Sequence, residues 1–239
     1  MAIIIFKFLK HVFLAIFLVI FLFILGLAGT GFLVYKDITD MSQNLLTLSN
    51  IVLLEDQEKL ITGLQIAGLE EENITVFDDD KIESYQEDFA SKNYDNILGD
   101  NYKIFIIKLD IFSGVGDVRV EKTTFTEEEI FEILRTDDVM ETLYQVMLSK
   151  ISLGIGLDTE EGKAAMIEAL AKQFGSSSEI KSLFAAFLFI DKLQEEGSLF
   201  LIEQIKNGNI IIYPETITFR VMNLIPLTLF DKVAEKITA

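Results

Sequence analysis

Ser178-Glu179-Ile180-Lys181 sets a hydroxyl and an amine three residues apart, where a helix is expected to begin. Side chains at i and i+3 share a helix face. The chemistry this spacing would serve is a serine nucleophile beside a lysine base. Ser178 is equally well explained as an N-cap whose hydroxyl satisfies a free backbone N–H. Paired carboxylates are the second arrangement, since two of them can hydrolyse a glycosidic bond without histidine. With 38 Asp and Glu in the chain, acidic pairs occur everywhere and no spacing singles one out. Asp78-Asp79-Asp80 offers oxygen ligands but lacks the D-x-D-x-D-G pattern and closing Glu of a calcium loop. The stretch with Asn93, Asp95, Asn96, Gly99, Asp100 and Asn101 reads as an oxygen-rich loop, also without ligand spacing. Metal binding is left open. Asn73-Ile74-Thr75 is an N-x-T sequon, which makes Asn73 a candidate glycosylation site in an extracytoplasmic setting.

Other signatures fall short. In penicillin-recognising enzymes S-x-x-K is accompanied by S-D-N and K-T-G. Here Lys122-Thr123-Thr124 lacks the Gly and precedes the S-x-x-K, and no S-D-N occurs. Gly154-Ile155-Gly156 lacks the third Gly of a dinucleotide loop and follows a helical segment. There is no Cys, and His11 is the only His. Thiol catalysis, Cys-based metal sites, a Ser-His-Asp triad and histidine-bound zinc are therefore excluded beyond residue 11. The expectation is a non-enzymatic protein with no cofactor.

The net charge of −18 argues against nucleic acid, which needs clustered Lys and Arg. It argues equally against lying flat on anionic headgroups. Cations, or a basic partner protein, suit this field better. Hydrophobic content of 50% and charged content of 24% are those of a folded chain.

The elements that would position these residues read as α+β. Residues 37–69 are expected to form a juxtamembrane helix, with Leu46, Leu53, Leu60 and Ala67 recurring every seventh position. Its broad apolar face favours packing on its own domain over dimerisation. Residues 70–239 form the acidic α+β domain. It opens with a short strand at Asn73–Phe77 and a helix from Lys81 to about Ser91. Tyr102–Phe112 and Val118–Thr124 are expected to pair as a β-hairpin around Ser113-Gly114-Val115-Gly116-Asp117. A block of about five helices follows over 126–207, started at Thr126, Asp138, Asp158, Ser178 and Ser198 and closed in the last three by Gly175, Gly197 and Gly208. Asn209–Tyr213 and Thr216–Met222 return to strand character, and Leu227–Ala239 reads as a closing amphipathic helix. Antiparallel sheet elements thus flank the helices, which would be a long insertion into one sheet.

Residues 1–36 are expected to be a cytoplasmic stub and a single transmembrane helix. No charge occurs from Val12 to Val34, and Phe17, Ile20 and Leu25 are typical of its composition. At ~1.5 Å per residue it can span a ~30 Å hydrocarbon core. Lys7 and Lys10 precede it, so the positive-inside bias puts the N-terminus in the cytoplasm and the domain outside. Its length favours an uncleaved signal-anchor over a leader cut near Gly26-Leu27-Ala28-Gly29. Gly26, Gly29 and Gly31 are candidates for close helix–helix contact. The function expected is binding or assembly within a membrane or envelope complex, with the bilayer, other membrane proteins or a second copy as partners. An apolar-ligand or lipid-binding domain and a carboxylate-based hydrolase are the alternatives.

Overall fold

A computed structural model describes residues 44, 47–67, 73–120, 123–150, 159–196, 199–216 and 219–220. The anchor positions Val12, Phe17, Ile20, Leu25 and Val34, the glycines Gly26, Gly29 and Gly31, and the expected helix Leu227–Ala239 lie outside them. Among the described residues no helix is long and apolar enough to cross a membrane.

The architecture is mixed α and β, built on a five-stranded sheet in the order β3-β2-β1-β4-β7. The strands are β1 Asn50–Asp56, β2 Lys59–Ile66, β3 Ile74–Val76, β4 Lys103–Lys108 and β7 Ile210–Tyr213. β1 runs parallel to β4, and β1–β2, β2–β3 and β4–β7 are antiparallel. The sheet is therefore not purely antiparallel, as the sequence suggested. The parallel pair needs a crossover, supplied by β2, β3 and the helices α1 Asp79–Ala90 and α2 Tyr94–Leu98. α2 occupies part of the expected 93–101 loop.

Two expectations are corrected here. Within the predicted helix over 37–69, residues Asn50 to Ile66 form a hairpin instead, and among the described residues ahead of it positions 44 and 47 are helical. β1 is central, with Ile51 and Leu53 facing one side and Leu54 the other, all buried. A run apolar on both faces carries no alternation, so periodicity cannot tell it from a helix. Its turn hides the hairpin too. Gln57 and Glu58 both take positive φ, 51° and 67°, without the Asn or Gly that usually marks such turns. The second correction concerns Tyr102–Thr124. β4 ends at Lys108, and Leu109–Phe112 forms a 3-10 turn that leaves the sheet. β5 Val118–Val120 pairs with β6 Thr123–Phe125 as a separate ribbon, so β4 takes β1 and β7 as partners instead. Ile104 and Ile106 are fully buried, as a central strand requires.

The helical block is α3 Glu127–Arg135, α4 Val139–Lys150, α5 Glu160–Phe174, α6 Ser177–Glu196 and α7 Leu199–Lys206. Its punctuation follows the sequence at Thr126, Asp138 and Gly175, while the caps expected at Asp158 and Ser178 are Thr159 and Ser176. Thr126 and Glu129 close a capping box on α3, Asp138 accepts from the Glu141 N–H, and Thr159 caps α5. Gly175 ends α5 at φ +93°, a conformation that favours glycine. The block is inserted between β4 and β7, neighbours in one sheet, as expected. Beyond β7, Phe219 and Arg220 are helical rather than extended, with the Arg220 N–H on the Thr216 carbonyl.

The sheet is the middle of three layers. α1 and α2 cover one face, where Ile82, Phe89 and Ile97 pack on Ile51, Leu53, Leu60, Ile104 and Ile106. The helical block covers the other, with Phe125, Ile130, Leu143 and Phe184 in one core with Leu54, Leu64, Phe105 and Ile107.

Candidate functional site

The S-x-x-K residues meet the sheet where α6 begins. The N-cap role expected of Ser178 belongs to Ser176: its hydroxyl accepts from the Glu179 N–H at 3.3 Å, and Glu179 accepts from the Ser176 N–H at 2.7 Å. Ser178 is therefore inside the helix, and i, i+3, i+4 spacing puts Lys181 and Ser182 on its face. All three are buried, at 7%, 8% and 3% exposure. The Ser178 hydroxyl donates to the Asp79 carboxylate at the start of α1, 2.9 Å away. The Ser182 and Thr62 hydroxyls share a buried hydrogen bond of 2.8 Å between α6 and β2. Lys181 has no hydrogen bond or ion pair among the described residues. Burial pushes its amine below the ordinary lysine pKa. Asp79 and Asp137 oppose that shift, and Lys59 reinforces it. Lys59 itself pairs with Asp137 at 3.1 Å.

Two openings adjoin this face. A groove of about 390 Å³ runs along β3 past Asp78, Ser176, Ser178 and Glu179. A cavity of about 50 Å³ lies beneath α6, between Thr62, Gly63, Leu64, Ser182, Ala186 and Phe189. Against the ~300–1,000 Å³ of a ligand pocket, the cavity has no room for an acyl chain.

A second polar group gathers at the carboxyl ends of the parallel strands β1 and β4, where open sheets often bind ligands. Glu55 is 7% exposed there and accepts from the Glu58 N–H at 3.1 Å. Burial raises its pKa, assisted by Asp56 and Asp110; the Glu58 N–H and Lys108 pull it down. Arg135 grips Asp56 with two hydrogen bonds of 2.8 and 3.2 Å, which hold its guanidinium above the usual arginine pKa. Thr62, Glu55 and Arg135 carried no sequence signal. Glu55 was hidden in a presumed helix, and Arg135 gains meaning only when α3 ends beside β1.

The remaining predicted positions are separate from these. Asn73 is half-buried immediately before β3, with its carbonyl accepting from the Ala67 N–H. Asp78 caps α1 by accepting from the Lys81 N–H at 2.9 Å. Lys122 and the Gly154-Ile155-Gly156 segment lie outside the described residues. Among the described residues no group of three or more His, Asp or Glu is arranged to hold a metal. The layer of α1 and α2 turns Asp78, Asp79, Asp80, Glu83, Glu87, Asp95 and Asp100 to solvent, with Lys81 and Lys92 the exposed cations among them. No family model, no curated protein and no solved structure matches the chain.

Proposed function

We propose that this chain is a single-pass membrane protein whose acidic domain, held outside the cytoplasm, binds a basic surface of another membrane or envelope protein. The observation that carries this reading is the acidic outer layer of α1 and α2. Seven carboxylates face solvent there against two lysines. Seven cations elsewhere are already spent on pairs within the domain: Lys59, Arg135, Lys150, Lys163, Lys172, Lys192 and Arg220. The layer of α1 and α2 thus presents an excess of negative charge, which steers a positively charged partner and discourages attachment to anionic lipid. The uncharged run Val12–Val34 supplies the anchor, and its flanking lysines supply the orientation.

The test is to extract the intact protein from its native membrane in mild detergent and determine the size and composition of the particle. A second polypeptide in fixed ratio is expected. Its loss on the triple exchange Asp80→Lys, Glu83→Lys, Glu87→Lys would place the contact on α1. A bare monomer overturns the reading. A homo-oligomer of this chain alone replaces it with self-assembly.

A further inference from the structure

We propose that the edge of β3, with the groove beside it, takes an extended basic segment of another protein as an added strand of the sheet. This rests on the basic partner argued above and supplies the form in which it is held. β3 is an outer strand, paired only with β2 among the described residues. The Asn73 carbonyl accepts from the Ala67 N–H and the Phe77 N–H donates to the Gly63 carbonyl. Asn73, Thr75 and Phe77 therefore turn their backbone groups to β2, and alternation turns the N–H and C=O of Val76 and the C=O of Ile74 away from it. None of these outward groups has a hydrogen-bond partner among the described residues. Native sheets ordinarily blunt such an edge with Lys, Pro or a bulge. Ile74-Thr75-Val76 has none of these, and all three are β-branched residues that suit an extended neighbour.

The groove of about 390 Å³ follows this edge over residues 74–78 and is walled by Ser176, Ser178 and Glu179 at the start of α6. Strand addition of this kind draws affinity from main-chain hydrogen bonds and specificity from the side chains along the groove. Charge selects the occupant. Asp78 and Glu179 both line the groove, and neither is ion-paired among the described residues. Asp78 accepts from the Lys81 N–H through Oδ1, and Glu179 from the Ser176 N–H through Oε2. The second oxygen of each carboxylate is left for an incoming Lys or Arg. A second copy of this chain fits poorly, because it would bring its own Asp78, Glu179 and net charge of −18 to the same edge.

The test titrates the full chain, in mild detergent, with a short fluorescent peptide of alternating valine and lysine, read by anisotropy. Saturable binding is expected, with slowed hydrogen exchange over residues 73–77. A valine–glutamate peptide should bind about ten-fold more weakly. Val76→Pro deletes an outward N–H without breaking a bond to β2, and should weaken binding about ten-fold. N-methylation of the peptide removes the same bonds with the protein untouched. Methylating one alternate set of its amides should weaken binding about ten-fold, and methylating the other set should not. Absence of binding overturns the proposal. Binding that needs lysine but ignores Val76→Pro and both methylations also overturns it, while leaving the basic partner of the acidic α1–α2 layer in place. Slowed exchange over residues 73–77 without peptide, growing with protein concentration, overturns it in favour of a second copy. A bare monomer from the native membrane is a separate result, which removes the partner reading whatever the peptide does.

Discussion

Thr62 and Ser182 place one polar contact in an otherwise apolar seam between β2 and α6. A buried hydroxyl stripped of its partner costs about 1–3 kcal/mol, whereas removing both partners is nearly neutral. Thr62→Val is therefore expected to lower stability by that amount in denaturation experiments. Thr62→Val with Ser182→Ala should recover most of it, and a double variant as unstable as the sum of its parts would contradict this. Glu55 gives a pH signature. Its carboxyl is raised in the folded protein by burial, so its contribution is fully present below the unfolded pKa and lost as pH climbs through the folded one. Glu55→Gln keeps an acceptor for the Glu58 N–H without the charge. The variant should melt at higher temperature than the parent at pH 7 and equal to it near pH 4. Neither residue announced itself in the sequence. Thr62 sits in a strand that looked helical, and the value of Glu55 depends on a turn built from Gln57 and Glu58 rather than Asn-Gly.

Helices and the central strand β4 were legible, and the central strand β1 was not. Helices α3 to α7 carry local signals at their ends: Thr126 with Glu129, Asp138, Thr159, Gly175. Each of these acts within a few residues of itself. In β1 burial on both faces erases the alternation that would have marked it, whereas β4, inside the expected strand Tyr102–Phe112, was misread only in its partners, which lie far along the chain. The seven-residue recurrence of Leu53 and Leu60 was real but misassigned. Both residues fall on the α1 face of the sheet, in one core. Gly63 shows how closely that hairpin is packed. A Cβ there would lie 2.6 Å from Leu53 Cδ2, 3.0 Å from Phe77 Cδ2 and 3.1 Å from the Val52 carbonyl. Gly63→Ala is expected to destabilise by about 1–3 kcal/mol, the usual cost of overpacking. Unchanged thermal stability would show that the Leu53 and Phe77 rings and branches move aside freely.

At the scale of the molecule, composition spoke clearly about charge and class and was silent about topology. Mixed α and β character, one sheet interrupted by a helical block, and the acid surplus all follow from the chain as written. The parallel β1–β4 pair does not, because nothing local distinguishes it from an antiparallel one. With a net charge of −18 and a pI near 4.4, self-repulsion opposes the folded state at neutral pH and is screened by salt. Raising salt from low levels to ~0.15 M, where the Debye length falls to ~8 Å, should raise the melting temperature at pH 7.5. The effect should disappear near pH 4.4; salt-independence at neutral pH would mean the acids are too dispersed to repel.

β4 ends at Lys108, and the strand that covers its second edge begins only at Ile210. At ~5–20 residues per second, a ribosome needs on the order of ten seconds to supply that covering strand. Throughout that interval Lys-Ile-Phe-Ile-Ile-Lys presents unsatisfied backbone groups and apolar side chains, the combination that invites strand addition from other chains. The nascent protein is thus exposed to aggregation while α3 to α7 are being made between the two strands. A chaperone that shields β4 has its work concentrated in that interval.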